Sequence, residues 1–452
     1  MRYRIETERV DLFDVSIVIT MCLHLSADVT FERLKKSFDK ACSCHEVLRS
    51  KIVIEPDGEA YYTYADEQPD TDSRTDEQPD ADNVSEAGAD KSSERKNTVS
   101  DVKTKICPGG DMHTGGDGHI AAGHGNSFTR TELSLEELIR ENERRRFRIE
   151  DGEFIRGFAS PDGIVLMMHH LAGDGKSFLY FIETFMRCLN GESCESVPFR
   201  SLDLKSLPQD SALPMVYKVL TAHWNRRWHR VKRIFTFEDM DKAYVKFWKD
   251  RETKVTIKRY DKHDLGHLLE ESKKNNISLT AYMITDMIRD SEDKKDIGLA
   301  VDGRTDGNRS MGNQATGISV EYRYDPKETF GENARKVHAL MNKKLSDNRY
   351  RYFVLRFMGA LDTTLKDALN LEHAGCFSSR ISSSLAQLLG YGTKVRDISI
   401  TNLTRADIPL KYGEYEIKDI IFISPVVSYA KNVYGIVTAG DVMYVTRHIF
   451  ED

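Results

Sequence analysis

Two histidines, an aspartate and two glycines fall within seven residues, His169-His170-Leu171-Ala172-Gly173-Asp174-Gly175. An imidazole with a pKa near ~6.5 can take a proton from a hydroxyl or amine at neutral pH and hand it to a leaving group, which is general base and acid chemistry. Adjacent residues on a strand point to opposite faces, so one of the two rings faces a site and the other packs. Gly175 permits a close backbone turn and, at a helix start, leaves amides free near a reacting carbonyl.

Such a pair must be held rigidly, and the flanking sequence supplies the elements. Residues 164–168 form an uninterrupted apolar run of strand length that ends at the histidines. A turn rich in Gly and Asp follows. Ser177 is then expected to cap a helix bearing Phe178, Phe181, Ile182 and Phe185, stopped at Asn190-Gly191. Upstream, 14–20 reads as a strand and Phe31, Leu34, Phe38, Ala41 and Cys42 lie on one helical face. His45 closes that helix as an ordinary histidine beside the negative dipole, with no chemistry assigned. Residues 51–55 and 60–64 read as a hairpin, and Ser134 caps a helix over 133–146. The second half repeats the alternation, with a helix over 264–275, another starting at Ser278, a strand over 297–301 and a closing hairpin over 436–445.

The chain has 452 residues, 40% hydrophobic and 30% charged, as in a globular protein of two or three domains. No apolar run approaches the ~20 residues of a membrane span, and the first residues lack a signal-peptide core, so a cytoplasmic location is expected. Residues 66–127 contain no Phe, Tyr or Trp and hold 14 acidic against 6 basic residues, leaving 58 acidic and 59 basic elsewhere. This segment is expected to be a disordered insert. Nothing in the near-neutral remainder calls for nucleic acid, and no nucleic-acid partner is expected. Within the insert, His113, His119 and His124 are irregularly spaced. The seven cysteines, including Cys42 with Cys44 and Cys188 with Cys194, form poor zinc patterns. Reduced thiols and no metal are expected.

The full pattern His-His-x-x-x-Asp-Gly at 169–175 resembles the signature of the condensation-domain and chloramphenicol-acetyltransferase superfamily of acyltransferases. The resemblance extends to His45-x-x-Leu48-Arg49 and to the approach at 146–156. Weaker likenesses follow at Asp302-Gly303-Arg304-Thr305 and Gly312-Asn313. Thr401-Asn402-Leu403-Thr404 with Ile408-Pro409-x-x-Tyr412-Gly413 resembles a run of the superfamily's stand-alone alcohol acyltransferases, with Thr401 where serine is usual and Thr404 where glycine is.

The resemblance implies an α/β fold of two similar halves, 1–195 and 196–452, arranged as a V-shaped pseudo-dimer around a central tunnel. It implies an acyltransferase that moves an acyl group from a thioester to a hydroxyl or amine acceptor. His170 is then the general base and His169 supports it by packing. Asp174 has a structural role, paired with Arg304, and Asn402 and Thr401 bind the oxyanion or acceptor. The donor is acyl-CoA or an acyl-phosphopantetheine on a carrier protein, with no bound cofactor, and a monomer is expected. Both carriers are anionic, and Arg226, Arg227, Arg230, Lys232 and Arg233 form the one dense basic cluster. On a helix, Arg226, Arg230 and Arg233 share a face, and Arg226 with Arg230 is the pair at which a donor could dock. Two other readings of the same residues are an amide-forming condensation enzyme of peptide biosynthesis and a non-catalytic scaffold that recruits a protein.

Overall fold

Apolar runs build two mixed six-stranded sheets and a small three-stranded one. The computed structural model describes residues 2–64, 125–304, 307–390, 395–427 and 429–451. The expected insert lies outside these residues except at its end. There Asn126 accepts the amides of Phe154 and Ile155 at 2.9 and 3.0 Å, and Ser127 opens the strand Ser127–Arg130. Residues 126 and 127 therefore belong to the fold, and the boundary expected after Ser127 moves upstream.

The first sheet runs in the order Lys411–Tyr412, Tyr415–Ile423, Val18–Leu25, Gly163–His169, Ile155–Ser160, Ser127–Arg130. Gly163–His169 sits inside it, antiparallel to both neighbours, with Val18 opposite His169 and Ile155 opposite Met168. Residues 164–168 are all buried, which is why the sequence shows a continuous apolar run and no alternation. Helices Phe31–Cys44 and Gly175–Leu189 pack together, with the rings of Phe38 and Phe181 5.9 Å apart. Each such buried side chain contributes roughly 1.5–3 kcal/mol.

The second sheet runs in the order Ala315–Tyr322, Lys295–Asp302, Ile398–Arg405, Val433–Ala439, Val442–Glu451, Glu252–Tyr260. Helices Leu279–Ile288 and Phe330–Leu345 bury Ile284 and Val337 in one core with Ile297, Leu299 and Ile318 of the sheet. The architecture is thus two α/β lobes. Their chains interleave: Tyr415–Ile423, late in the sequence, pairs antiparallel with Val18–Leu25 in the first sheet. Phe235 likewise packs on Phe13, with ring centroids 6.2 Å apart.

Three local expectations are corrected. The strand expected over 14–20 spans Val18–Leu25, because Asp14 accepts the Ser16 amide and closes a turn first. The helix after the histidines starts at Gly175 and its cap is Asp174, whose carboxylate accepts the Ser177 amide at 2.9 Å; Ser177 is inside the helix. The helix Met215–Trp228 ends before the basic cluster does, so Arg230 and Arg233 follow it and share no helical face with Arg226.

His45 also departs from a simple helix-end role. It is fully buried, neither ring nitrogen has a hydrogen-bond partner, and its ring lies 5.5 Å from that of Phe181. Burial pushes its pKa down to about 4, overriding the helix dipole. As pH falls below the unfolded value near ~6.5, the unfolded chain takes up the proton first. Stability held above pH ~6.5 is therefore lost toward pH ~4. His45→Leu should remove this loss, so that its advantage over the wild type in denaturant unfolding grows by about 1.4 kcal/mol per pH unit between those limits. An advantage equal at pH 7 and pH 5 would contradict the assignment.

Candidate functional site

The strand alternation that separates the two histidines ends between them. His169 is the last residue of Gly163–His169, and His170 begins the one-turn helix His170–Ala172. His169 is fully buried, its Nδ1 accepts the Leu171 amide at 3.2 Å, and its ring meets Phe147 edge-on. Burial first, then repulsion by His170, Arg146 and Arg156, push its pKa down to about 3. It is a neutral packing residue that shapes the turn.

The His170 side chain keeps 18% of its exposure and lines a cavity of about 490 Å³. Both lobes contribute to that cavity: Val10, Asp11, Asp14 and Ile17 beside His170, and Leu299, Asn313, Thr316, Ser399 and Thr401 from the second sheet and its connections. His170 Nδ1 is buried without a hydrogen-bond partner and lies 3.9 Å from Asp11 Oδ2, which leaves Nε2 as the nitrogen for chemistry.

Asp11 is positioned from three sides. Its turn, Thr7–Asp11, is anchored by Arg9, whose buried guanidinium donates to Asp367 (Nε to Oδ1 2.8 Å) and to the Gly58 carbonyl. Asn370 donates to the Val10 carbonyl at 2.6 Å, and Asn313 donates to Asp11 Oδ2 at 2.8 Å. Burial raises the Asp11 pKa, while His170 and the Asn313 hydrogen bond oppose that rise. Asp14 stands nearby with its pKa raised to about 6 by burial, against the pull of hydrogen bonds from the Ser16 amide and hydroxyl. The Asp11 carboxylate thus stands on the Nδ1 side of the His170 ring.

Asp174 takes no part in that contact. It is 4% exposed and paired with Arg304 through two hydrogen bonds of 2.9 and 3.1 Å. It also accepts the Gln314 amide at 2.9 Å, beyond its cap bond to Ser177. Arg304 reaches on to Ser177 Oγ (2.8 Å) and Asp302 (3.0 Å). Ser177 Oγ donates to the Gly312 carbonyl, and Gly173 bridges Gly312 directly. The histidine loop of one lobe is thereby clamped to the second. Gly312 itself has φ +131° and packs on the chain at Arg200, where a Cβ would fall 2.1 Å from the carbonyl oxygen. A Cβ on Gly175 would fall 2.7 Å from Leu403 Cδ2, so Gly175 serves close packing at the helix start.

Thr401 faces the cavity, two residues along the strand from Ser399, which also lines it. Asn402, expected to bind the oxyanion, does not line it. Its Nδ2 donates to Thr280 Oγ1 at 2.9 Å and its Oδ1 accepts the Thr404 amide at 2.7 Å. The reason is strand alternation, which turns Asn402 away from the face that Thr401 uses. The register breaks between Asn402 and Arg405, and Thr404 sits at φ +61°. That left-handed conformation favours glycine, the residue usual at this position in the resembled motif.

Arg226, Arg227 and Arg230 are exposed, whereas Lys232 donates to the Asp57 carbonyl and Arg233 pairs with Asp239. The helix that carries Arg226 and Arg227, Met215–Trp228, packs through Tyr217 on Phe353 and Phe357 of the helix Phe353–Gly359, whose Val354 and Met358 line the cavity.

Asp11 was not singled out from the sequence. Its one signal is the pair Asp11 and Asp14 set into the apolar stretch of Val10, Leu12 and Phe13, where charges are costly unless used.

No family model and no curated protein matches the chain. Solved structures do. The first condensation domain of the CDA synthetase aligns with a TM-score of 0.51 at 12% identity, over 98% of this chain and 87% of that one. The starter condensation domain of rhizomide synthetase RzmA (mutant R148A, in complex with C8-CoA) aligns at 0.55 and 10%, over 99% and 89%. Polyketide synthase associated protein 5 from Mycobacterium tuberculosis aligns at 0.53 and 12%, over 100% and 93%. Fold and comparison together therefore define a two-lobed fold shared with the condensation domains. In this chain His170 and Asp11 stand at the shared cavity and Asp174 is clamped to Arg304.

Proposed function

We propose that the protein is an acyltransferase that moves an acyl group from a CoA or carrier-bound thioester to a hydroxyl or amine acceptor, with His170 as general base. The observation that carries this reading is a partly exposed imidazole in a cavity lined by both lobes, with a carboxylate 3.9 Å behind it. His170 Nε2 takes the acceptor's proton as its oxygen or nitrogen attacks the thioester carbonyl. Asp11 stabilises the imidazolium that results. The tetrahedral intermediate collapses, the carbon–sulfur bond breaks, and the imidazolium returns the proton to the leaving thiolate. With Asn402 turned away, Thr401 is the hydroxyl assigned to the developing oxyanion. The likeness to stand-alone alcohol acyltransferases at 401–413 favours a hydroxyl acceptor, and the condensation-domain neighbours favour an amine.

The test is a panel of acyl-CoA and acyl-pantetheine thioesters with alcohols and amines, read by mass spectrometry. Acylated acceptor with an equal amount of free thiol is expected. Absence of product with every pair, alongside tight capture of a protein partner, would favour a scaffold instead.

The exposed Arg226, Arg227 and Arg230 are assigned to the anionic donor. Arg226→Glu combined with Arg230→Glu should raise the donor KM and flatten its salt dependence with kcat nearly unchanged, because steering is screened over ~10 Å at 0.1 M salt. An unchanged KM and salt dependence would leave this stretch as plain surface.

A further inference from the structure

Away from the cavity, three thiols from distant parts of the chain converge. Cys44 ends the helix Phe31–Cys44, Cys188 lies in the last turn of Gly175–Leu189, and Cys194 lies on the connection that follows. Their sulfur atoms all lie within 4.8 Å of one another, and Cys188 and Cys194 are 3.1 Å apart. The connection is folded back by hydrogen bonds from the Glu192 amide to the Arg187 carbonyl (3.0 Å), from Lys40 to the Glu192 carbonyl (2.6 Å) and from the Val197 amide to the Cys44 carbonyl (2.6 Å).

We propose that Cys44, Cys188 and Cys194 form a zinc site, with a fourth coordination position open to solvent. Zinc–thiolate bonds of roughly 2.3 Å in tetrahedral geometry hold sulfurs roughly 3.8 Å apart, so the three thiols need only small adjustments. Cys44 and Cys188 are buried, while Cys194 lines a separate surface cavity of about 510 Å³. That cavity supplies the entry path and room for a water ligand. Three thiolates around Zn²⁺ carry one net negative charge. Lys40 donates to the Glu192 carbonyl and Arg187 to the Glu192 carboxylate, so two cations border the connection that carries Cys194. Burial raises the thiol pKa of Cys44 and Cys188. Uptake therefore exchanges three thiol protons for the metal: three R–SH and Zn²⁺ give Zn(SR)₃⁻ and three H⁺. The pair Cys188 and Cys194 is a poor zinc pattern in sequence because its third partner comes from the first helix.

The reduced, metal-free full-length chain is titrated with Co²⁺ and then with Zn²⁺. One equivalent of Co²⁺ should give thiolate-to-cobalt charge-transfer and tetrahedral d–d absorption, displaced by Zn²⁺. Cys194→Ser, at the partly exposed position, and Cys44→Ala should each weaken Zn²⁺ binding by more than the roughly 10–100-fold that an outer-sphere partner costs. Circular dichroism confirms that each variant is folded. Cys376→Ser, and the triple change His113→Ala, His119→Ala and His124→Ala, should leave the titration unchanged. The proposal is overturned if the bands are absent, persist in folded Cys194→Ser or vanish with the histidine changes, or if air yields a Cys188–Cys194 disulfide in a chain that takes up no metal.

Discussion

Replacing His170 by alanine should lower turnover by ~10²–10⁴-fold, the usual range for a lost general base, with little change in melting temperature. The small structural cost follows from the side chain's setting: it is partly exposed, and its buried Nδ1 has no hydrogen bond to lose. His169→Ala should behave in the opposite way. That ring is fully buried against Phe147 and holds the Leu171 amide, so its loss opens a cavity and frees an amide at the turn. The pair of variants, measured by steady-state rate and by thermal unfolding, separates chemistry from packing. Equal activity in His170→Ala and wild type would remove the base from the account.

Asp174→Ala should be the most destabilising single change at the site, by ~3–5 kcal/mol for a buried pair left half broken, with ~0.5–2 kcal/mol more for the lost cap. Its carboxylate receives Arg304 twice and the amides of Ser177 and Gln314. Removing it strands a guanidinium whose side chain is 3% exposed, with Asp302 as its remaining carboxylate. Asp174→Asn keeps an acceptor for Ser177 and should fall between. Asp174 does not touch the His170 ring, so activity should track the folded fraction and the placement of the loop. Chemical denaturation of the two variants checks this, and unchanged stability in Asp174→Ala would contradict the clamp.

Much of the local architecture was legible because its signals are local. The apolar run at 164–168, the hairpin of 51–55 with 60–64 and the cap at Ser134 each announce one element, and each is present. The assignment of the cap to Ser177 failed because Asp and Ser compete for that role two or three residues apart. Here Arg304 and Gln314 hold the Asp174 carboxylate at the helix start. The insertion of Tyr415–Ile423 beside Val18–Leu25 left no trace in either segment, since period-two patterning fixes a face and not a partner. Asp11 was missed for a related reason. Its nearness to His170 depends on Arg9, Asp367 and Asn313, which no spacing rule links. Asn402 was misplaced by one residue of strand alternation, the same rule that separates Thr401 from it.

Chemical rescue tests the central claim most directly. The cavity beside His170 measures about 490 Å³, so free imidazole can enter the space that His170→Ala leaves. With one donor and one acceptor from the panel, added imidazole should restore acyl transfer in His170→Ala in a dose-dependent way, and should do nothing for the wild type or His169→Ala. A variant that transfers acyl groups at the wild-type rate without imidazole would contradict the account.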